Sequence, residues 1–161
     1  MKFFYYSNQQ VFMAIIAAYI HLKKLPQNRI PSMEEILMIP EFDQLSSGDF
    51  GVPYFIGEIS NCQIYVISFN FKISIALQTI KNILFQRGVD FSKWHFFDVS
   101  KNKNTHNMFI WVGELLSRKS IIRPLGKYII GIGIQKSYRQ IIEMVNLAKE
   151  LDSPWSKEKL W

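Results

Sequence analysis

The residues best suited to hold a ligand are Ser7, Asn8, Gln9 and Gln10, which follow the aromatic run Lys2-Phe3-Phe4-Tyr5-Tyr6. Hydroxyl and amide side chains both donate and accept hydrogen bonds. Between a strand and a helix they would meet a small anion, because free backbone N–H groups collect at helix starts. No glycine stands among the four, so the backbone lacks the freedom to wrap a phosphate. The competing reading is a plain helix cap from Ser7 or Asn8. A second group is basic. Arg118, Lys119, Arg123 and Lys127 fall within ten residues, and Lys136 and Arg139 follow. Guanidinium forks suit phosphate or carboxylate. The same residues read equally well as a solvated face, with Arg118 paired to Glu114 one turn earlier. The candidate ligand set is therefore Ser7, Asn8, Gln9, Gln10, Arg118 and Arg123.

Other chemistry is poorly served. His21, His95 and His106 are far apart, and no pair has the spacing of metal ligands. Acid–base work by His106 with Asp98 is conceivable, since both fall near one strand end. Cys62 is the single cysteine, which excludes an internal disulfide and a thiolate cluster. It falls in an apparent turn, Ser60-Asn61-Cys62, with no His or Asp beside it. Gly131-Ile132-Gly133 lacks the third glycine of a dinucleotide fingerprint. No metal and no cofactor is expected. The catalytic residues, if any, are not readable.

These residues need elements to position them. Lys2–Tyr6 reads as a strand and Val11–Leu25 as a helix buried on most sides, ended by Pro26. Ser32 and Glu35 have capping-box spacing, so a short helix starts there and stops near Pro40. Val52–Ile59 and Gln63–Phe69 read as two strands of a hairpin. Ile73 to Leu84 has helical spacing, with Gly88 as its stop. Trp94–Val99 reads as a strand and Met108–Leu116 as a helix. Tyr128–Ile134 is rich in isoleucine and reads as a central strand. Tyr138 to Leu151 makes a last helix. The expectation is an α/β fold: a single domain over residues 1–152, with a tail at 153–161. Its sheet is mixed and mostly parallel, of about five strands, with helices on both faces and one β-hairpin.

The totals agree with a globular chain. It has 161 residues, 48% of them apolar and 20% charged, with a net charge of +6. That length buries roughly two-thirds of the unfolded surface. The apolar run from Val11 to Ile20 is too short to span a bilayer and no cleavage site follows it. A soluble, cytoplasmic protein without membrane contact is expected, since a lone cysteine suits a reducing compartment.

Several stretches together resemble the domain-of-unknown-function 3189 family of spore-forming Gram-positive bacteria. They are Ala17 to Leu22 with Leu25-Pro26, Ile30-Pro31 with Glu34 to Leu37, and Pro40 with Phe42-Asp43. Phe55-Ile56-Gly57, Asn107 to Gly113, Leu116-Ser117-Arg118, Leu125-Gly126, Gly133 and Tyr138 follow at similar spacing. Two positions depart from that family's pattern. Its glycine-, histidine- and serine-bearing first loop is Ser7-Asn8-Gln9-Gln10 here, and Glu114 stands for the second glycine of a pair. The resemblance implies a fold but no reaction.

Two functions remain open. One is a non-catalytic binding or assembly subunit, in a homo- or hetero-oligomer with a related subunit. The other is an enzyme or sensor for a small phosphorylated or anionic ligand. Nucleic-acid binding rests on charge alone and ranks last.

Overall fold

The computed structural model describes residues 1–8, 11–44, 50–69, 73–90, 92–99, 108–117 and 122–150. Strand β1 (Lys2–Asn8) leads to helix α1 (Val11–His21), then to the short helices α2 (Met33–Leu37) and α3 (Glu41–Gln44). Strands β2 (Tyr54–Ile59) and β3 (Cys62–Phe69) precede helix α4 (Ile73–Gln86), strand β4 (Trp94–Asp98), helix α5 (Met108–Ser117) and helix α6 (Arg123–Glu150). The strand order is β2-β3-β1-β4. β1 is parallel to both β3 and β4, and β2 with β3 makes the one antiparallel pair.

The central position of β1 explains its unbroken aromatic run. A strand covered on both faces has no reason to alternate apolar with polar. Phe3 and Tyr5 face the main core, built from α1, α6 and α2. Phe4 and Tyr6 face the other way, into a smaller cluster completed by Ala76 and Leu77 of α4. The two faces follow from topology. The chain passes from β1 to β3 in one direction, then from β3 back across β1 to β4. Right-handed crossovers in opposite directions put their helices on opposite faces.

Among the described residues the sheet has four strands and not five. Tyr128–Ile134, expected as a central strand, lies inside α6, which runs for 28 residues. Its isoleucines favour a strand locally, but propensity is a weak term against packing. Gly126, Ile130, Ile134, Ser137, Ile141, Val145 and Ala148 are buried at helical intervals. They form one stripe continuous with the helix already expected beyond Tyr138. Cys62 is also moved: it opens β3 and is buried, while the turn is Ser60-Asn61, both at positive φ.

Helix ends follow their local chemistry. α1 stops at His21, short of Pro26, because Lys23 adopts φ 58°. The Lys24 N–H then reaches the Tyr19 carbonyl and the Lys23 N–H that of Ile20. This closes the helix as a Schellman motif does. α4 ends the same way at Gly88, φ 70°. α2 carries the capping box read from the sequence, with Ser32 accepting from the Glu35 N–H.

Glu35 has a second partner. Arg29 donates through both terminal nitrogens to the two Glu35 oxygens, each at 2.7 Å. The Arg29 guanidinium, then the Ser32 backbone N–H, hold the Glu35 carboxyl at about 2, below its ordinary 4.5. A folded pKa below the unfolded one means that folding favours the ionised form. The stabilisation is complete above pH 4.5 and is lost as pH falls towards 2. Glu35→Gln should flatten the melting-temperature profile across that window in circular dichroism. A variant that tracks the parent through it would refute the linkage.

Candidate functional site

The carboxyl ends of the strands are where ligands meet an open α/β sheet, at the point where neighbouring connections leave for opposite faces. Here that point lies between β1 and β3, because β1 leads to α1 and β3 leads to α4. Ser7 stands opposite Ser68 in the parallel register, and Asn8 opposite Phe69. By alternation, Ser7 and Ser68 share the face of Tyr5 and Val66. Gly51 closes the far side of β3, its N–H donating to the Ser68 carbonyl at 2.7 Å.

Of the expected ligand set, Ser7, Asn8 and Arg123 are among the described residues. Ser7 is 1% exposed, so its hydroxyl sits inside the molecule. Asn8 is the last residue of β1. Since α1 begins at Val11, neither Ser7 nor Asn8 occupies its capping position. Gln9, Gln10 and Arg118 lie outside the described residues. Arg123 is the exposed first residue of α6. It stands 15 residues before Tyr138, about 22 Å along the helix axis. Of the six, Ser7 and Asn8 are the two that the described structure brings together.

The nearest titratable pair is Tyr6 with Asp98, opposite each other on β1 and β4. Burial, and after it the Asp98 carboxylate, push the Tyr6 phenol up to about 12. It stays protonated at neutral pH and can donate, but not act as a base. His106, the imagined partner of Asp98, lies outside the described residues. Cys62 is at the opposite end of the strands, where β3 begins, its thiol 3.7 Å from the Ser60 carbonyl. His21 is the last residue of α1. It is buried, with Nδ1 and the Tyr5 hydroxyl 2.7 Å apart. His95 packs its ring on Phe3. Among the described residues no three His, Cys, Asp or Glu side chains could hold one metal ion together.

A different surface stands out. α5 and the first half of α6 pack at very short range, glycine against backbone. A methyl group at Gly113 would lie 2.7 Å from the Gly126 carbonyl oxygen, and one at Gly133 would strike Ile110. With Gly113, Ile110 and Ile130 turned inward, the outer side of the pair is apolar too. Met108, Trp111 and Leu115, at i, i+3 and i+7, are 70%, 59% and 52% exposed. Leu125 and Tyr128 on α6 are half-exposed. Lys136 holds its ammonium 3.8 Å above the Phe109 ring. Residues 108–136 contain five basic side chains against one acidic, Glu114, so they carry four of the chain's six net positive charges. The sequence signal was present but ambiguous: Met108–Leu116 is apolar but for Glu114, and only packing decides which side is covered.

Two cavities lie elsewhere. One, of about 350 Å³, opens between residues 27–30 and α6. It is lined by Arg29, Arg139, Tyr138 and Glu143, and Arg29 is paired with Glu35. The other, of about 290 Å³, lies between α4 and the edge strand β4. Among the described residues no helix is long and apolar enough to cross a membrane.

The family model described as "Protein of unknown function (DUF3189)" matches residues 2–150. No curated protein matches the chain, and no solved structure does.

Proposed function

Because the chain belongs to the DUF3189 family, whose description names no activity, its role must be argued from its surfaces, and we propose a non-catalytic binding or assembly subunit of the cytoplasm. The observation that carries this reading is the apolar stripe Met108-Trp111-Leu115, exposed beside Leu125 and Tyr128. Large contiguous apolar patches on water-facing surfaces mark contact sites. Trp, Tyr and Met are the residue types that anchor such contacts. The glycine-locked packing beneath makes the platform rigid, which lowers the entropy lost on docking. Arg123, Lys127 and Lys136 on α6 carry positive charge beside this face, so two copies of it repel. The partner that fits is a protein with an apolar ridge rimmed by carboxylates, a related subunit being one form of it.

Trp111→Glu tests this. Truncation of a central anchor costs on the order of 30-fold in affinity, and a charge costs more. Light scattering after size exclusion, with cross-linking, should show a complex that Trp111→Glu dissolves and salt weakens. A chain that stays monomeric and partnerless defeats the proposal. So does a partner indifferent to Trp111→Glu, or binding to anionic vesicles in place of protein.

The second reading is a small anion at the carboxyl end of β1, where the adjacent strands β1 and β3 lead to helices on opposite faces. Thermal-shift screening with sugar phosphates and nucleotides tests it. No stabilisation by any anion, with no effect of Arg118→Ala, removes it.

A further inference from the structure

The face of the sheet opposite α1 carries a row of rings. Phe55 on β2 meets Tyr65 on β3 at 5.4 Å between centroids. Tyr65 stacks on Phe4 of β1 at 5.0 Å, and Phe4 on Phe96 of β4 at 4.7 Å. The planes of the last two pairs differ by 17° and 12°, so the rings lie nearly flat on one another. The row crosses all four strands. α4 covers it only in part, through Ala76 and Leu77. At its β4 end the row opens into the cavity of about 290 Å³ lined by Lys81, Asn82, Phe85, Trp94 and Phe96.

We infer that this cavity is a binding site for a planar aromatic group carrying an anionic substituent. Three of its five walls are rings. Phe85 is 77% exposed, a cost that a stacking ligand would remove. Two ammonium groups stand over the same rings. Lys81 Nζ is 5.7 Å from the Phe96 centroid, and Lys2 Nζ is 5.0 Å from that of Trp94. Asn82 adds an amide that can read a ring nitrogen or carbonyl. Among the described residues no carboxylate lines the cavity. The C-terminal carbonyls of α4 lie close by and would oppose an anion. They are engaged: Leu84 accepts from Arg87 and Val89, and Phe85 from Gly88. The volume sits at the lower limit for a ligand site, which suits one base or a two-ring acid and excludes a dinucleotide. A free nucleoside monophosphate, an aromatic carboxylate and a nucleotide within a single strand share this chemistry.

Calorimetric titration of the full chain with adenosine 5′-monophosphate and with 1-naphthoate tests the site. Both should bind saturably. Adenosine, with the ring alone, and inorganic phosphate, with the charge alone, should each bind about tenfold more weakly or less. Phe85→Ala, at an exposed position that the fold does not need, should weaken both ring anions about tenfold. Lys81→Gln should weaken the anions about tenfold and leave adenosine unchanged. Trp111→Glu should leave all these titrations as they are, which separates this site from the docking face. An oligothymidylate that binds more tightly than the monophosphate, and loses that binding in Phe85→Ala, identifies a strand as the source. Tighter binding of a monomer identifies a free metabolite. No saturable binding of either ring anion overturns the inference. Phosphate binding as tight as the monophosphate overturns it, and so does a Phe85→Ala variant that binds like the parent.

Discussion

Gly126→Ala separates α5 from α6 and lowers the stability of the whole chain. The added methyl carbon would lie 2.5 Å from the Ser117 backbone nitrogen and 2.6 Å from the Gly113 carbonyl oxygen. Those are main-chain atoms, which cannot rotate away as a side chain would. Alanine is otherwise the better helix former by about 1 kcal/mol, so helix propensity alone predicts a gain. Overpacking costs about 1–3 kcal/mol and more where the backbone must shift. The expected result is a net loss of about 2 kcal/mol, or roughly 4–8 °C in melting temperature for a chain of this size. The partner-binding surface should go with it, because Trp111 and Tyr128 sit on the two helices forced apart. Gly51→Ala is the control. Nothing lies within 4 Å of its added carbon, and only its φ of 78° makes it strained. It should cost about 1 kcal/mol. A Gly126→Ala variant as stable as the parent would mean that the two helices are not this close.

Tyr5 is the second position of large effect. It is fully buried at the centre of the central strand. Its ring packs against Phe97 and His21, and its hydroxyl meets His21 Nδ1 at 2.7 Å. Tyr5→Ala removes a whole ring from a packed core and should cost about 3–5 kcal/mol. Tyr5→Phe keeps the ring and takes away the hydroxyl from a buried imidazole nitrogen, which should cost about 1–3 kcal/mol. Chemical denaturation of both variants separates packing from hydrogen bonding. If Tyr5→Phe matched the parent, the hydroxyl–imidazole contact would be energetically neutral. Burial alone already holds the Tyr5 phenol far above its ordinary pKa, so the hydroxyl keeps its proton at physiological pH.

Much of the fold is legible where local chemistry and tertiary packing agree. Ser32 and Glu35 announce a helix start through their own side-chain bonds, which need nothing from the rest of the chain. Gly88 stops α4 for an equally local reason. Tyr128–Ile134 is the instructive failure. Isoleucine at 129, 130, 132 and 134 satisfies a strand's preference, and the glycines between them look like the approach of a neighbouring strand. Close neighbours are indeed present, but they belong to helices: Met33 of α2 at Gly131 and Ile110 of α5 at Gly133. A window of seven residues cannot separate the two cases. The longer stripe from Gly126 to Ala148 can, since its buried residues repeat at helical spacing.

The site divides the same way. The aromatic first strand, the glycine-free loop after it, the lone thiol and the excess of positive charge between residues 108 and 136 are legible in the residues alone, because these are facts of residue type and local spacing. What is reachable depends on packing. Ser7, polar and near a helix start, is sealed inside by its neighbours, while Trp111, Phe85 and Tyr128 are left in water. Exposure depends on which elements pack together from far along the chain, and no local spacing carries that information. The aromatic row from Phe55 to Phe96 exists only once four strands lie in the order β2-β3-β1-β4.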